Sequence, residues 1–532
     1  MDSVSWRSSR MRQVRLVSCT YLRLLNQGNR PSPPSPPVHL PFRRLRNISR
    51  SVSRRGQHSP SVSSSIHYSR ISLLSRLLPA TLTSISPRCS RLAVKVRDFA
   101  IHISQSQLST IINMEDRLSP VQIQSLRAII NEFSQDLHDY LTIYYSLHQY
   151  PDLPLKAWRT AGIVSAHLTR IGLAVRIAVG GHGVVGTFNN GPGKIILLRA
   201  ELDGAPIQEL TNLPYKSKEE SYDTAGKLRP VMHASGHDMN MTTLLAATDL
   251  LVRAKSRWSG TLIVVFQPDE SGVYAPRMVD DEWFRRLPQP DYMLSQQVTP
   301  IAGACVAVSP GPVLPTADWI RVLIPGSYSY HLTDYNCHPR PISLAIQIIS
   351  TLQDYVHQGV GRDQFVTVEC WGFHAGPSAN PSINCDDVDF FLNVQTADYR
   401  VREQALALID SKIREDLRKG LYTNEPVITV FDRAPLTYND PHLTSRIQEV
   451  FTVRFGMTCV PQEMIWAARP LSLLSRNAPY VHWLYGWFVG ESAFDEKNNP
   501  ITCSPFFEPL VEQTLEVGTE AMALAVLSIL AV

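Results

Sequence analysis

The sequence predicts an α/β protein with a mixed, largely parallel sheet sandwiched by helices, and a smaller inserted α+β domain. Two apolar runs, Ile195–Leu198 and Thr261–Phe266, have the composition of buried parallel strands. Between them, Thr242–Ala254 places its four leucines on one helical face, with Asp238 and Asn240 as candidate caps. Polar residues follow both strands. Because open α/β sheets bind ligands at the carboxyl ends of their strands, we expect the functional site there.

The first 113 residues differ from the rest in charge and composition. Met1–Asn113 has 18 Lys and Arg against 2 Asp and Glu, a net charge of +16, whereas Met114–Val532 has 33 against 45, a net charge of −12. This basic Ser/Arg/Pro-rich arm is predicted to be disordered. Three interpretations remain open: a mitochondrial transit peptide, a tail that binds nucleic acid or anionic lipid, or a non-folding leader with Met114 as the effective start.

Other global features narrow the class of protein. No run of about 18 apolar residues is present, so we expect no membrane span. The 8 cysteines are scattered and form no CxxC pair, which favours a reducing compartment over a disulfide framework. We therefore expect a cytoplasmic protein, or a mitochondrial one if the arm is a transit peptide. We expect no nucleic acid partner.

The folded body is predicted to contain a larger domain interrupted by a smaller one. Pro120–Pro154 is predicted to form one long amphipathic helix that Pro151 ends, and Leu173–Ala200 a hairpin or meander. The strand Trp319–Ile324 begins the smaller domain, and Pro426–Val430 returns the chain to the larger one. The predicted bounds are 1–113 for the arm, 114–317 and 424–532 for the larger domain, and 318–423 for the smaller domain.

Three segments carry a resemblance to a known family. The chain reads LRAELDGAP at Leu198–Pro206, MHASGHD at Met232–Asp238 and QPDESG at Gln267–Gly272. In order and spacing these resemble LRADMDALP, MHACGHD and QPAEEG of the binuclear zinc amidohydrolases, which include aminoacylases, hippurate hydrolases, auxin-amino-acid conjugate hydrolases and related carboxypeptidases. The resemblance covers Leu147–Val532. It implies a catalytic domain with a lid or dimerisation domain, a homodimer formed through the lid, and a small amide or amino-acid conjugate as substrate.

The resemblance also implies a zinc site, and here the chain departs from the family. His237 matches a metal-binding His, but other residue types stand where the family has a thiolate, a second Glu and two His ligands: Ser235, Ser271, Gln297 and Cys503. The family's SEDF segment is AARP in this chain, at Ala467–Pro470, so an acid is lost there too. Because a catalytic zinc needs about three protein ligands, we expect a degenerate site. His237, Glu270 and Cys503 are the candidates for a single rebuilt zinc site.

The same matching assigns catalytic roles. Glu270 matches the base that takes a proton from the attacking water, and His331 is the candidate lid His that polarises the scissile carbonyl. A register slipped by one residue would make Asp269 the base and Glu270 a ligand. The other polar residues of the motifs are predicted to orient neighbours or contact substrate: Asp203, Asp238, Ser235, Asp269, Ser271 and Gln297.

Three functions are compatible with these residues. The first is hydrolysis of a small amide or peptide bond, of the N-acyl amino acid or dipeptide type, with a degenerate metal site. The second is a metal-free enzyme of specialised small-molecule metabolism that uses a Glu/His pair. The third is a catalytically dead pseudoenzyme that acts as a binding subunit. Retention of Glu270, His237 and His331 together favours an occupied pocket.

Overall fold

A computed structural model describes residues 118–531, except 135, 271–274, 302–303, 327–340, 376–386, 421, 423, 466–468 and 489–502. All described residues belong to the unit Gln105–Val532. His331, Ser271 and the arm 1–113 lie outside the described residues.

The main sheet has eight strands in the order β1-β2-β6-β3-β7-β16-β8-β15. Its central pairs, β6 with β3, β3 with β7 and β7 with β16, are parallel, whereas β1, β2 and β6 pair antiparallel. The strands are β1 (Ala174–Val179), β2 (Gly183–Asn190), β3 (Ile195–Glu201), β6 (Gly260–Gln267), β7 (Tyr292–Val298), β8 (Val306–Ala307), β15 (Cys459–Val460) and β16 (Tyr480–Tyr485). The predicted mixed, largely parallel sheet is confirmed.

Helices cover this sheet: α1 (Pro120–Phe133), α2 (His138–Gln149), α3 (Trp158–Arg170), α4 (His237–Arg253), α5 (Ala275–Asp280), α6 (Glu282–Arg285), α9 (Pro441–Phe455) and α10 (Val511–Leu530). Two-stranded pairs flank them: β4 (Glu220–Tyr222) with β5 (Leu228–Pro230), and β9 (Gly311–Leu314) with β14 (Thr437–Asn439). Helix α4 is buried on every side from His237 to Leu251, so its pattern is not that of a one-sided amphipathic helix.

Helices α4 and α10 pack closely against each other and the sheet. A Cβ atom added to Gly518 of α10 would lie 2.3 Å from Tyr485 and 2.6 Å from Thr243, so only glycine fits at this crossing. Helix α10 is long and apolar enough to span a membrane by length and composition alone, but 78% of its apolar window is buried in the fold. Its apolarity is therefore that of a core helix.

The predicted single long helix is wrong. Helix α1 begins with a capping box, in which Ser119 Oγ accepts from Gln122 N and Gln122 Oε1 accepts from Ser119 N. It ends at Phe133, because Ser134 takes an extended conformation. The Asp136 carboxylate then accepts from His138 N at 2.9 Å and helps to start α2. Ser and Asp side chains that bond to nearby backbone groups thus override the apolar periodicity.

A separate four-stranded antiparallel sheet has the order β11-β12-β10-β13. Its elements are β10 (Thr316–Pro325), α7 (Pro341–Val360), β11 (Val366–Ala375), β12 (Asp387–Thr396), α8 (Tyr399–Lys419) and β13 (Val427–Ala434). The two helices and one face of the sheet share a core of their own. The expectation that Pro426–Val430 returns to the larger domain is wrong for β13, which pairs with β10.

Candidate active site

The carboxyl ends of β3 and β6 lie side by side and bring charged groups together. Arg199 and Glu201 are two residues apart on β3, so their side chains point to the same face. The Arg199 side chain is 1% exposed and forms an ion pair with Glu201, which is 0% exposed. Arg199 also donates from Nε and Nη2 to Gln267 Oε1, at 3.0 and 2.8 Å. Arg199 and Glu201 therefore form a buried ion pair at the carboxyl ends of β3 and β6.

His237 is placed at the first turn of α4 by a glycine. Gly236 has φ +70°, and a Cβ there would lie 2.3 Å from Val298 and 2.7 Å from Phe507. The His237 Nδ1–H donates to the carbonyl oxygen of Asp203 at 2.7 Å, and Nε2 lies 3.1 Å from Glu270 Oε2. Since a carbonyl and an ionised carboxylate only accept hydrogen bonds, this geometry suits the doubly protonated imidazolium.

The pKa values of this pair follow from the same contacts. Burial would lower the pKa of His237, but Glu270 and Asp203 raise it well above its usual range. Burial would raise the pKa of the Glu270 carboxyl, but Arg469, His237 and Arg199 hold it well below its usual range. Glu270 is therefore an ionised carboxylate at neutral pH.

Arg469 completes the cluster from a distant part of the chain. Its Nη1 donates to Glu270 Oε1 and, at 3.0 Å, to Gln297 Oε1. Asn240 Nδ2 donates to the same Gln297 oxygen and to Glu201 Oε2, both at 3.1 Å. Gln297 in turn donates from Nε2 to the carbonyl oxygen of Ser235 at 2.7 Å. One hydrogen-bonded network thus links both carboxylates.

Part of this network could ligate a metal ion. Glu201, His237 and Glu270 each offer a ligand atom, and these atoms lie within 4.8 Å of one another. Their acceptor atoms, however, already bond to Arg199, Asn240, Arg469 and each other. A pair of metal ions does not fit this arrangement, because the carboxylates are already neutralised by guanidinium groups.

The structure brings several predicted residues together. His237, Glu270 and Gln297 contact one another through the network, while Asp203 and Ser235 take part through their backbone carbonyls.

Other predicted residues are placed differently. Cys503 is exposed, and the third member of the candidate ligand group is Glu201 and not Cys503. Asp269 is 1% exposed, and Glu270 Oε2 lies 3.1 Å from His237 Nε2. Asp238 and Asn240, expected as caps, lie inside α4.

Sequence reasoning missed four residues of the cluster: Arg199, Glu201, Asn240 and Arg469. The sequence did contain a signal for Arg199 and Glu201. They carry opposite charges and are two residues apart in a predicted buried strand, so their side chains lie on the same face and are expected to pair.

A second buried polar cluster surrounds His148. Its Nδ1 lies 2.7 Å from Asp238 Oδ2 and its Nε2 lies 3.2 Å from Glu209 Oε1. Burial would lower the pKa of His148, but these two carboxylates raise it to about 9. The edge of the Tyr215 ring also packs on His148. Asp238 therefore connects this cluster to the first turn of α4.

The raised pKa of His148 predicts a pH-dependent stability. The folded state holds the proton up to about pH 9, whereas the unfolded state releases it near 6.5. Stability from this group is complete below pH 6.5 and is lost as the pH rises to about 9, a loss of about 3 kcal/mol. The lowered pKa values of Asp238 and Glu209 change the free energy of unfolding only at acidic pH, where these carboxylates take up protons. Urea unfolding of the protein and of His148→Gln at pH 6.5 and 9 measures the difference.

The decline of His148→Gln should be smaller than that of the wild-type protein by about 3 kcal/mol, and the share that comes from the raised pKa of His237 should be the same in both. His442→Gln changes an exposed histidine and should keep the wild-type pH dependence. Equal declines in the protein and in His148→Gln would show that His148 is not the titrating group.

Comparisons with known proteins agree with this fold. Residues 197–527 match the model of peptidase family M20/M25/M40. A hippurate hydrolase of Campylobacter jejuni is 30% identical over 319 residues, covering 59% of this chain and 78% of that protein. Thermostable carboxypeptidase 1 of Saccharolobus solfataricus is 26% identical over 366 residues, covering 66% and 87%.

A solved structure is similar in fold. The YXEP protein of Bacillus subtilis, named as a dinuclear metal-binding peptidase of family M20, superposes with a TM-score of 0.58 at 22% identity, covering 74% of this chain and 97% of that one. The matched family model spans more than half of the chain. The chain therefore belongs to peptidase family M20/M25/M40.

Proposed function

We propose that the protein hydrolyses small amide bonds of the N-acyl amino acid or dipeptide type. The observation that carries the proposal is Glu270, an ionised carboxylate at the end of β6 that contacts both His237 and Arg469. The relatives support the substrate class, since they are named as a hippurate hydrolase and a carboxypeptidase. Each of those names describes cleavage of a C–N bond next to an amino acid.

The geometry suggests a role for each group. Arg469 and His237 hold the pKa of Glu270 low, so Glu270 becomes an effective base when the substrate carbonyl draws these cations to itself. Glu270 then takes a proton from a water molecule as the water attacks the amide carbon, and passes that proton to the leaving amine. Arg469 and His237 are the cations beside it that would stabilise negative charge on the carbonyl oxygen. His331 remains a candidate for the same task and lies outside the described residues. A degenerate metal centre is part of this proposal, since Ser235 and Gln297 stand where the family resemblance places metal ligands.

The proposal is tested with a panel of hippurate, N-acetyl amino acids and dipeptides, with release of free amino acid as the readout. We expect hydrolysis of at least one class above the rate of the buffer alone. A folded protein that cleaves none of them would contradict the proposal and favour a binding role for the pocket.

We also infer that a second copy of the chain packs on the four-stranded sheet. Its two edge strands expose large apolar side chains, Trp371 and Phe373 on β11 and Val427 and Phe431 on β13. Exposed edge strands with apolar side chains are suited to association. Light scattering after size-exclusion chromatography should give the mass of a dimer, and Trp371→Glu should shift it towards the monomer. A monomeric wild-type protein would contradict this inference.

A further inference from the structure

The guanidinium group of Arg469 contacts Glu270, one member of the candidate metal-ligand group, and the neighbouring Gln297. Its Nη1 reaches the carboxylate of Glu270 and the amide oxygen of Gln297 at the same time. Gln297 stands where the family resemblance places a His ligand. A guanidinium group therefore links the candidate base to a position where the family resemblance places a metal ligand.

The charges of the cluster balance without a metal ion. Arg199, Arg469 and the His237 imidazolium supply three positive charges, and Glu201, Glu270 and Asp203 supply three negative charges. Arg199 is 1% exposed and Arg469 is 11% exposed, so solvent screens this cluster weakly. A divalent cation at the same place would be repelled by two guanidinium groups. The divalent cation would also have to displace Arg469 from the carboxylate of Glu270.

We propose that Arg469 is a built-in cation in place of the metal pair, and that the protein folds and acts without a bound divalent metal ion. Among the described residues, the hydrogen bonds of Arg469 all start from Nη1. Nε and Nη2 carry three further N–H groups, and a guanidinium group binds oxygen anions well through such pairs of donors. The part of the proposal that concerns catalysis rests on the proposed function: these donors bind the carbonyl or carboxylate oxygen of the substrate.

Metal content is the first test, because it does not depend on knowing the substrate. The full-length protein is purified with zinc supplied, dialysed, and analysed by elemental mass spectrometry. We expect less than about 0.1 equivalents of zinc in the protein. Arg469→Ala leaves Glu201, His237 and Glu270 within reach of one ion, so we expect it to gain about one equivalent of zinc. The double variant Arg469→Ala/His237→Ala should lose it again.

Each outcome decides the proposal. One or two equivalents of zinc in the wild-type protein, removed by His237→Ala, would overturn it. A metal-free Arg469→Ala variant would overturn the assignment to Arg469, because another feature would then exclude the ion. Circular dichroism establishes that each variant is folded. Arg469→Lys keeps the positive charge and should also stay free of zinc.

Activity supplies a second readout if the panel yields a substrate. Hydrolysis by the wild-type protein should be unchanged by a chelator, and Arg469→Ala should lower kcat/KM by about 10²-fold or more, as expected for a group that stabilises an oxyanion. Arg286→Ala changes an exposed arginine and should leave the activity unchanged. Loss of activity with chelator would overturn the proposal but leave the hydrolase function intact. A metal-free protein that cleaves no substrate of the panel would support Arg469 as the built-in cation and contradict the proposed hydrolase function.

Discussion

Replacing Arg199 by Ala should lower the free energy of unfolding by about 3–5 kcal/mol, the usual cost of removing one partner from a buried ion pair. The Arg199 side chain is 1% exposed and serves Glu201 and Gln267 at once. Among the described residues, the hydrogen bond that Glu201 keeps without Arg199 is the one from Asn240. The negative charge of Glu201 would then be buried without its ion-pair partner. Urea denaturation followed by circular dichroism measures the loss.

Two control variants separate this explanation from a general effect of arginine removal. Arg286→Ala breaks the ion pair with Glu282, in which both side chains are largely exposed, and exposed pairs contribute only about 0–1 kcal/mol. The double variant Arg199→Met/Glu201→Leu removes both charges and should be more stable than Arg199→Ala alone. If the double variant were the less stable one, buried charge would not be the cause.

The fold could be predicted largely because its signals are local. Short apolar runs identified β3 and β6, whereas α4 begins at His237, before the Asp238 and Asn240 that were predicted to cap it. The break after Phe133 was missed because it depends on side-chain bonds of Ser134 and Asp136 to nearby backbone groups, which leave the apolar periodicity of the sequence unchanged. Local signals therefore located the elements better than their ends.

The site was predictable only in part. His237 and Glu270 follow directly from motifs beside strands and helices. Arg469 could not be predicted, because it lies about 200 residues from Glu270 in the sequence and only the folded chain brings them together. In the sequence, AARP showed the loss of an acid and not the gain of a cation. The family resemblance thus indicated only a loss at a position where the structure has a cation in contact with Glu270.

The largest effect on activity is expected at Glu270. Glu270→Gln keeps the size of the side chain but removes the proton acceptor, so kcat should fall by about 10²- to 10⁴-fold, equivalent to about 3–5 kcal/mol. Steady-state kinetics on the substrate that the panel identifies measures this change. KM should change much less, since a base acts mainly in the transition state.

The neighbouring Asp269 provides a matched control, because the two possible registers of the QPDES segment assign the base differently. Asp269 is 1% exposed, and Glu270 is the residue that contacts His237 and Arg469. Asp269→Asn should therefore retain much more activity than Glu270→Gln if both variants are folded. The reverse order would make Asp269 the base. Glu270 would then serve chiefly to hold Arg469 and His237 in place, and the cations would remain as the part of the site that meets the substrate.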